Sequence, residues 1–207
     1  MNNLRRPWQP ARRPHPYHHG SLRNAALREA HRILATKGVD AVTVRAIARR
    51  VGVTPNALYR HFQDKNALLA KLAEEGFREL CQGFRAIRAK DPRKRFREMA
   101  RSYVRFGTAK PAVLELMFGL EIAKTSKDSG LKQAAKEAFM ELLQAAAAAA
   151  GIPPDSKDSM QLAIACWSLV HGYTTLLTRG ALDFVQPGHG IETVIRFVEL
   201  DSRCWSG

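Results

Sequence analysis

Two short segments with helical apolar spacing are separated by only four residues, Val51-Gly52-Val53-Thr54, and this pairing restricts the fold more than anything else in the chain. In the first segment, Thr43 can cap a helix running through Arg50 whose inner face is Val44, Ile47, Ala48 and Val51. Gly52 then breaks it, since a residue without a Cβ closes a helix most readily. Thr54 caps the second segment, and Pro55 takes a first-turn position where its missing N–H costs nothing. Ala57, Leu58, Tyr59 and Phe62 follow. Helices joined so tightly make a compact helix-turn-helix. That unit occurs as plain helical packing, and also where its second helix enters a DNA major groove, which is about 12 Å wide.

The remaining sequence reads as helix too. Ser21 is a good cap for a first helix through Leu22, Ala26, Ala30, Ile33 and Leu34, ending at Gly38. Asp64 caps a fourth helix over 64 to 89, and further helices are expected over 92–109, 111–123, 128–150, 157–179 and 189–202. Breaks fall at Asp91-Pro92, Pro111, Ser126 to Gly130, Gly151 to Pro154, and Gly180 through Pro187 to Gly190. No segment alternates as a strand. The expected fold is all-α: a basic arm over 1–20, a three-helix unit over 21–63 and a six-helix unit over 64–207.

Charge separates these units. The net charge is +14, yet residues 1–61 carry 12 Lys/Arg against only Glu29 and Asp40. Such asymmetry suits a polyanionic partner, nucleic acid or anionic lipid. Asn56, Tyr59, Arg60 and His61 beside the small Ala57 tilt the choice toward DNA. Cys81, Cys166 and Cys204 are widely spaced with no CxxC pair, so neither a disulfide framework nor a zinc site is indicated, and a reducing cytoplasm is the expected setting. His15, His18 and His19 lack partners at ligand spacing. No apolar run approaches the roughly 18 residues a membrane span needs.

The stretch Tyr17-His18-His19-Gly20 with Leu22-Arg23, then Thr43 to Ala48, Val51-Gly52-Val53, Leu58 to Phe62, Lys65 and Leu68-Leu69, resembles the DNA-binding domain of TetR-family regulators. Trp167-Ser168-Leu169-Val170-His171-Gly172 is similar to a Trp...His-Gly element in one subset of TetR-type C-terminal domains. The resemblance implies a homodimer on a near-palindromic double-stranded operator, repressing until a small-molecule effector releases it. Arg45, Pro55, Asn56 and Ala57 would then face base edges, while Thr43, Thr54, Tyr59, His61 and Lys65 would serve the DNA contact around them, chiefly at phosphates. The larger unit becomes a ligand-binding and dimerisation domain. Its dimer seam would use helix eight (Leu162, Ala165, Cys166, Leu169, Tyr173, Leu176) and helix nine (Ile191, Val194, Ile195, Val198). For an effector, Tyr103, Trp167 and His171 are the expected ligand-binding anchors, in a site between helices four and eight whose lever is helix four.

The basic run from Arg85 to Arg105 is expected to be a solvated face. The motifs GxxxxGK[ST], GxGxxG, HExxH and GxSxG do not occur in the sequence, so no enzyme, cofactor or metal is expected. The other rival is a helical scaffold with a vestigial helix-turn-helix.

Overall fold

A computed structural model describes residues 19–119, 129–184 and 190–201, with side chains for 22–119, 130–184 and 190–196. Among the described residues every regular element is helical. They are α1 (His19–Lys37), a 3₁₀ turn (Val39–Ala41), α2 (Val44–Val51), α3 (Pro55–Tyr59), α4 (Lys65–Arg85), α5 (Pro92–Ala109), α6 (Pro111–Met117), α7 (Ser129–Ala150), α8 (Lys157–Thr178) and α9 (Ile191–Asp201). The expected arm over 1–20 lies almost wholly outside the described residues, as do residues 120–123 of the expected sixth helix.

Local chemistry sets most boundaries. The Thr43 hydroxyl accepts the Ala46 N–H at 3.1 Å, and Asp64 accepts the Ala67 N–H at 2.7 Å, each satisfying an orphan first-turn donor. Gly52 adopts φ +76°, and the next N–H, on Val53, donates to the Ala48 carbonyl at 3.0 Å, which closes α2 in a Schellman turn. A side chain at Gly52 would meet no neighbour, so backbone conformation alone favours glycine there.

Four expectations need correction. Helix α1 begins at His19, so Ser21 lies in its first turn and does not cap it. Thr54 precedes α3 but its side chain makes no capping bond. Helix α3 stops at Tyr59, because the His61 and Phe62 N–H groups both converge on the Leu58 carbonyl. Helix α4 ends at Arg85, four residues early, where the Ile87 carbonyl is instead taken by the Arg95 guanidinium at 3.1 Å.

Helices α1 to α3 pack around Ile33, Leu34, Val42, Ile47 and Leu58, all buried. That core runs without a break into Leu68, Leu69 and Leu72 of α4 and onward to Leu80 and Phe84. Helix α7 packs along α4, with α5 and α8 against its other sides and α6 wedged against α1 and α4. Three arginines of the basic run tie these layers together and so are not merely solvated. Arg85 bonds Glu141 at 2.6 Å, Arg95 reaches the same carboxylate at 3.6 Å, and Arg101 bridges Glu98 and Glu192, each at 2.8 Å. The last contact joins α5 to α9.

Helices α5 and α8 approach closely at Gly107, where an added Cβ would collide with the Thr174 methyl and come within 2.9 Å of Leu114. Gly107→Ala should therefore destabilise the fold by about 1–3 kcal/mol through overpacking, set against about 1 kcal/mol returned by helix propensity. Thr174→Ser removes the obstructing methyl while keeping the hydroxyl that donates to the Val170 carbonyl at 2.7 Å. Denaturant melts should show the double variant recovering stability that Gly107→Ala loses.

Candidate nucleic-acid interface and interior cavity

The helix-turn-helix exposes one side because the other is spent on the core. In α2, Val44, Ile47 and Ala48 are buried and Arg45 is exposed; in α3, Leu58 is buried while Pro55, Asn56 and Tyr59 are exposed. Thr43 and Thr54 stand exposed at the starts of these helices, and Ala57, His61 and Lys65 are half-buried around them. All nine expected DNA-facing residues thus lie on α2 and α3, in the residues that flank them, or at the first residue of α4. Among the described residues neither Arg45 nor Lys65 has an acidic partner, so both cations remain available to an anion. Phe62 anchors the end of the motif, with the Arg23 guanidinium 5.7 Å from its ring centroid. His31 on α1 meets Glu75 on α4 at 2.9 Å, which ties the reading unit to the helical body.

A second feature lies inside that body. It is a cavity walled by α4, α5, α7, α8 and Phe118 just after α6. Tyr103 and Trp167 form part of its wall; His171 stands behind them and faces an outer groove beside Phe118. The Tyr103 hydroxyl and His171 Nδ1 are 2.7 Å apart, and the Trp167 indole reaches the same hydroxyl. Because indole N–H can only donate, the arrangement that satisfies every group has Trp167 donating to Tyr103 and Tyr103 donating to Nδ1. Burial raises the Tyr103 pKa above its ordinary value, opposed by the bond from Trp167. Burial also lowers that of His171, favouring the neutral ring this chain of bonds requires. Phe118 packs on His171 with centroids 4.5 Å apart and on Trp167 at 5.5 Å.

The expected seam divides. Leu162 and Cys166 turn into the chain's own core, whereas Leu169 and Leu176 are exposed, together with Met160 and Ile164, which periodicity did not single out. On α9, Ile195 is buried and Ile191 and Val194 pack against the main core; the Val198 side chain lies outside those described. The difference arises because periodicity identifies apolar positions without saying which neighbour covers them.

Known proteins agree with this architecture. Residues 26–72 match the family described as bacterial regulatory proteins, tetR family, and residues 96–198 match the tetracyclin repressor-like C-terminal domain. The chain belongs to the TetR family of bacterial regulatory proteins. It is similar to a solved protein of unknown function from Rhodococcus sp. RHA1, 33% identical, with 92% of this chain and 96% of that one covered at TM-score 0.73. It also resembles a TetR variant from Acinetobacter baumannii AYE solved in complex with minocycline, 26% identical, covering 91% and 98% at TM-score 0.59. The tetracycline repressor protein class A from transposon 1721 of Escherichia coli is 49% identical over 51 residues, 25% of this chain. The match spans only about a quarter, 24%, of that curated relative's length.

The lowered pKa of His171 has a consequence for stability. The folded chain resists protonating a ring that the unfolded chain protonates near its ordinary value of 6.5. Stability from this group is therefore complete above that value and declines as pH falls below it. Thermal midpoints measured from about pH 7.5 down to about pH 5.5 should fall less in His171→Gln than in the wild type. An identical fall in both would show that the ring titrates normally.

Proposed function

We propose that the chain is a sequence-specific, DNA-binding transcription regulator that acts as a homodimer on near-palindromic operators and represses until a small-molecule effector releases it. The observation that carries this reading is the exposed side of α2 and α3, where Arg45, Asn56 and Tyr59 stand outward over buried Ile47 and Leu58. Arg can chelate guanine O6 and N7, Asn can pair with adenine, and the small Ala57 can contact a thymine methyl. Thr43, Tyr59, His61 and Lys65 would hold phosphates and Thr54 would flank them, with Pro55 presetting the start of α3. Nothing in this reading calls for catalysis, a cofactor or a metal.

The second copy is proposed to seat on α8. Ile164 and Leu176 are about half exposed, at 50% and 48%, and a Cβ at Gly172 would touch nothing within 4 Å, so a partner helix could approach. Twofold symmetry then places two recognition helices about one DNA turn, roughly 34 Å, or somewhat more apart. The minocycline complex of the Acinetobacter relative supports a sensing role for the interior cavity; the proposed ligand-binding residues are Tyr103 and Trp167 in its wall, with His171 behind them. Coupling is available through α4, which begins at Lys65 beside α3 and reaches the cavity wall at Leu80 and Phe84. A difference of about 1–3 kcal/mol between two spacings of the reading heads would change operator affinity about 5 to 150-fold.

Enrichment of random duplexes on the purified chain should yield a near-palindromic consensus. On that sequence Arg45→Ala and Asn56→Ala should each cost about 1–3 kcal/mol and relax preference, whereas Lys65→Ala should weaken all duplexes alike and flatten the salt slope by about one unit. No enrichment, or equal loss of preference from Lys65→Ala, would contradict the assignment.

A further inference from the structure

Among the described residues, those that line the interior cavity carry no formal charge, although the chain holds 33 Lys/Arg and 19 Asp/Glu. Its wall has two ionisable groups, the Tyr103 hydroxyl and the Cys166 thiol, and the second behaves as a small apolar group when buried. The cations next to the wall are turned away: Arg85 follows Phe84, Arg95 precedes Phe96, and both guanidinium groups reach outward to Glu141. Neither is left to meet an anion inside.

Six of the fourteen lining residues carry aromatic rings, and the others are mostly aliphatic. Phe84, Phe96, Tyr103, Phe118, Phe139 and Trp167 come from four helices and one helix end to surround the same space. Phe139 and Phe118 both pack against Trp167, with centroids 5.8 and 5.5 Å away. The polar atoms at this wall are already used, Trp167 on Tyr103 and Tyr103 on His171, so the occupant has no unmet donor or acceptor to complete. An ion entering here would lose its hydration and find no opposite charge, a penalty that burial in low dielectric makes severe.

We infer that the molecule this cavity admits is uncharged and largely aromatic, with no carboxylate, phosphate or ammonium group inside the wall. The inference rests on reading the cavity as the sensing site and specifies its ligand class. Flat rings can slide between the wall rings in offset or edge-on contacts, which adds to simple area burial. Anions and cations are both selected against without any dedicated repulsive residue.

Three probes sharing one ring system test this: 1-naphthalenemethanol, 1-naphthoate and 1-naphthylmethylammonium, titrated calorimetrically into the full chain. The alcohol should bind with one site per chain, and each ion at least about 100-fold more weakly, given the several-kcal cost of stripping an ion. Ala138→Trp and Ala100→Phe, which fill the cavity from α7 and α5, should each weaken alcohol binding at least tenfold. As a readout independent of those variants, the alcohol should quench Trp167 emission in a chain whose Trp8 and Trp205 are replaced by Phe. Ions binding as tightly as the alcohol, with the same sensitivity to the filled variants, would overturn the inference. So would an absence of binding by all three, or alcohol binding that is neither weakened by Ala138→Trp and Ala100→Phe nor accompanied by quenching of Trp167. Parallel mobility shifts separate this from the sensing role: an alcohol that binds as expected but leaves DNA affinity unchanged supports the ligand class and removes the sensor.

Discussion

The buried face of α4 is the constraint on which the other parts depend. Its first turns supply Leu68, Leu69 and Leu72 to the core under α1 to α3, and its last turns supply Leu80, Cys81 and Phe84 to the helical body. One rigid element of 21 residues therefore belongs to both halves. Burying a Leu or Phe side chain contributes about 1.5–3 kcal/mol, so neither half can release α4 without losing several such terms. The His31–Glu75 contact and the packing of α6 against both α1 and α4 add to the junction. The exposed outer side of α2 and α3 is thus held by a helix that is itself deeply buried.

Polar groups within the body follow the same economy. Glu74 is only 2% exposed on α4, and it is tolerated because Lys71 and Arg78, one turn away on either side, reach it at 2.6 and 2.7 Å. A buried carboxylate without such partners would be costly. Trp167, Tyr103 and His171 likewise satisfy one another at the edge of the aromatic cavity. Charge is kept at the helix surfaces, where Glu141 and Glu192 gather arginines from neighbouring helices. What is left inside is space bounded by rings.

Much of this was legible in the sequence, and the parts that were share a physical cause. Helix α5 begins and ends where Asp91-Pro92 and Pro111 require, and α2 closes at Gly52, because proline and glycine act on the local backbone whatever surrounds them. The reading unit was legible because its capping residues, its apolar positions and its surplus of cations all fall within one short stretch. Less was legible where a long-range partner decides. Helix α4 stops at Arg85, and beyond it the Ile87 carbonyl is held by Arg95, eight residues on, a partner that only the folded chain brings near. Leu162 and Cys166 share the spacing of Leu169 and Leu176, and only the position of α5 and α7 determines which pair is covered. The arginines that bind Glu141 and Glu192 look solvated until the helices are in place. Residue type groups His171 with Tyr103 and Trp167, and the fold puts it one layer behind them.

If α4 is the shared element, the reading unit and the body must lose structure together. The direct test follows denaturant unfolding with two site-specific signals: a tryptophan introduced as Tyr59→Trp on α3, and the native Trp167 in the body. Each is observed in a chain whose other tryptophans are replaced by Phe. Coincident midpoints and slopes for the two signals are the predicted result, as for a single cooperative transition. A Tyr59→Trp signal that melts in its own transition, while Trp167 remains native, would contradict the account.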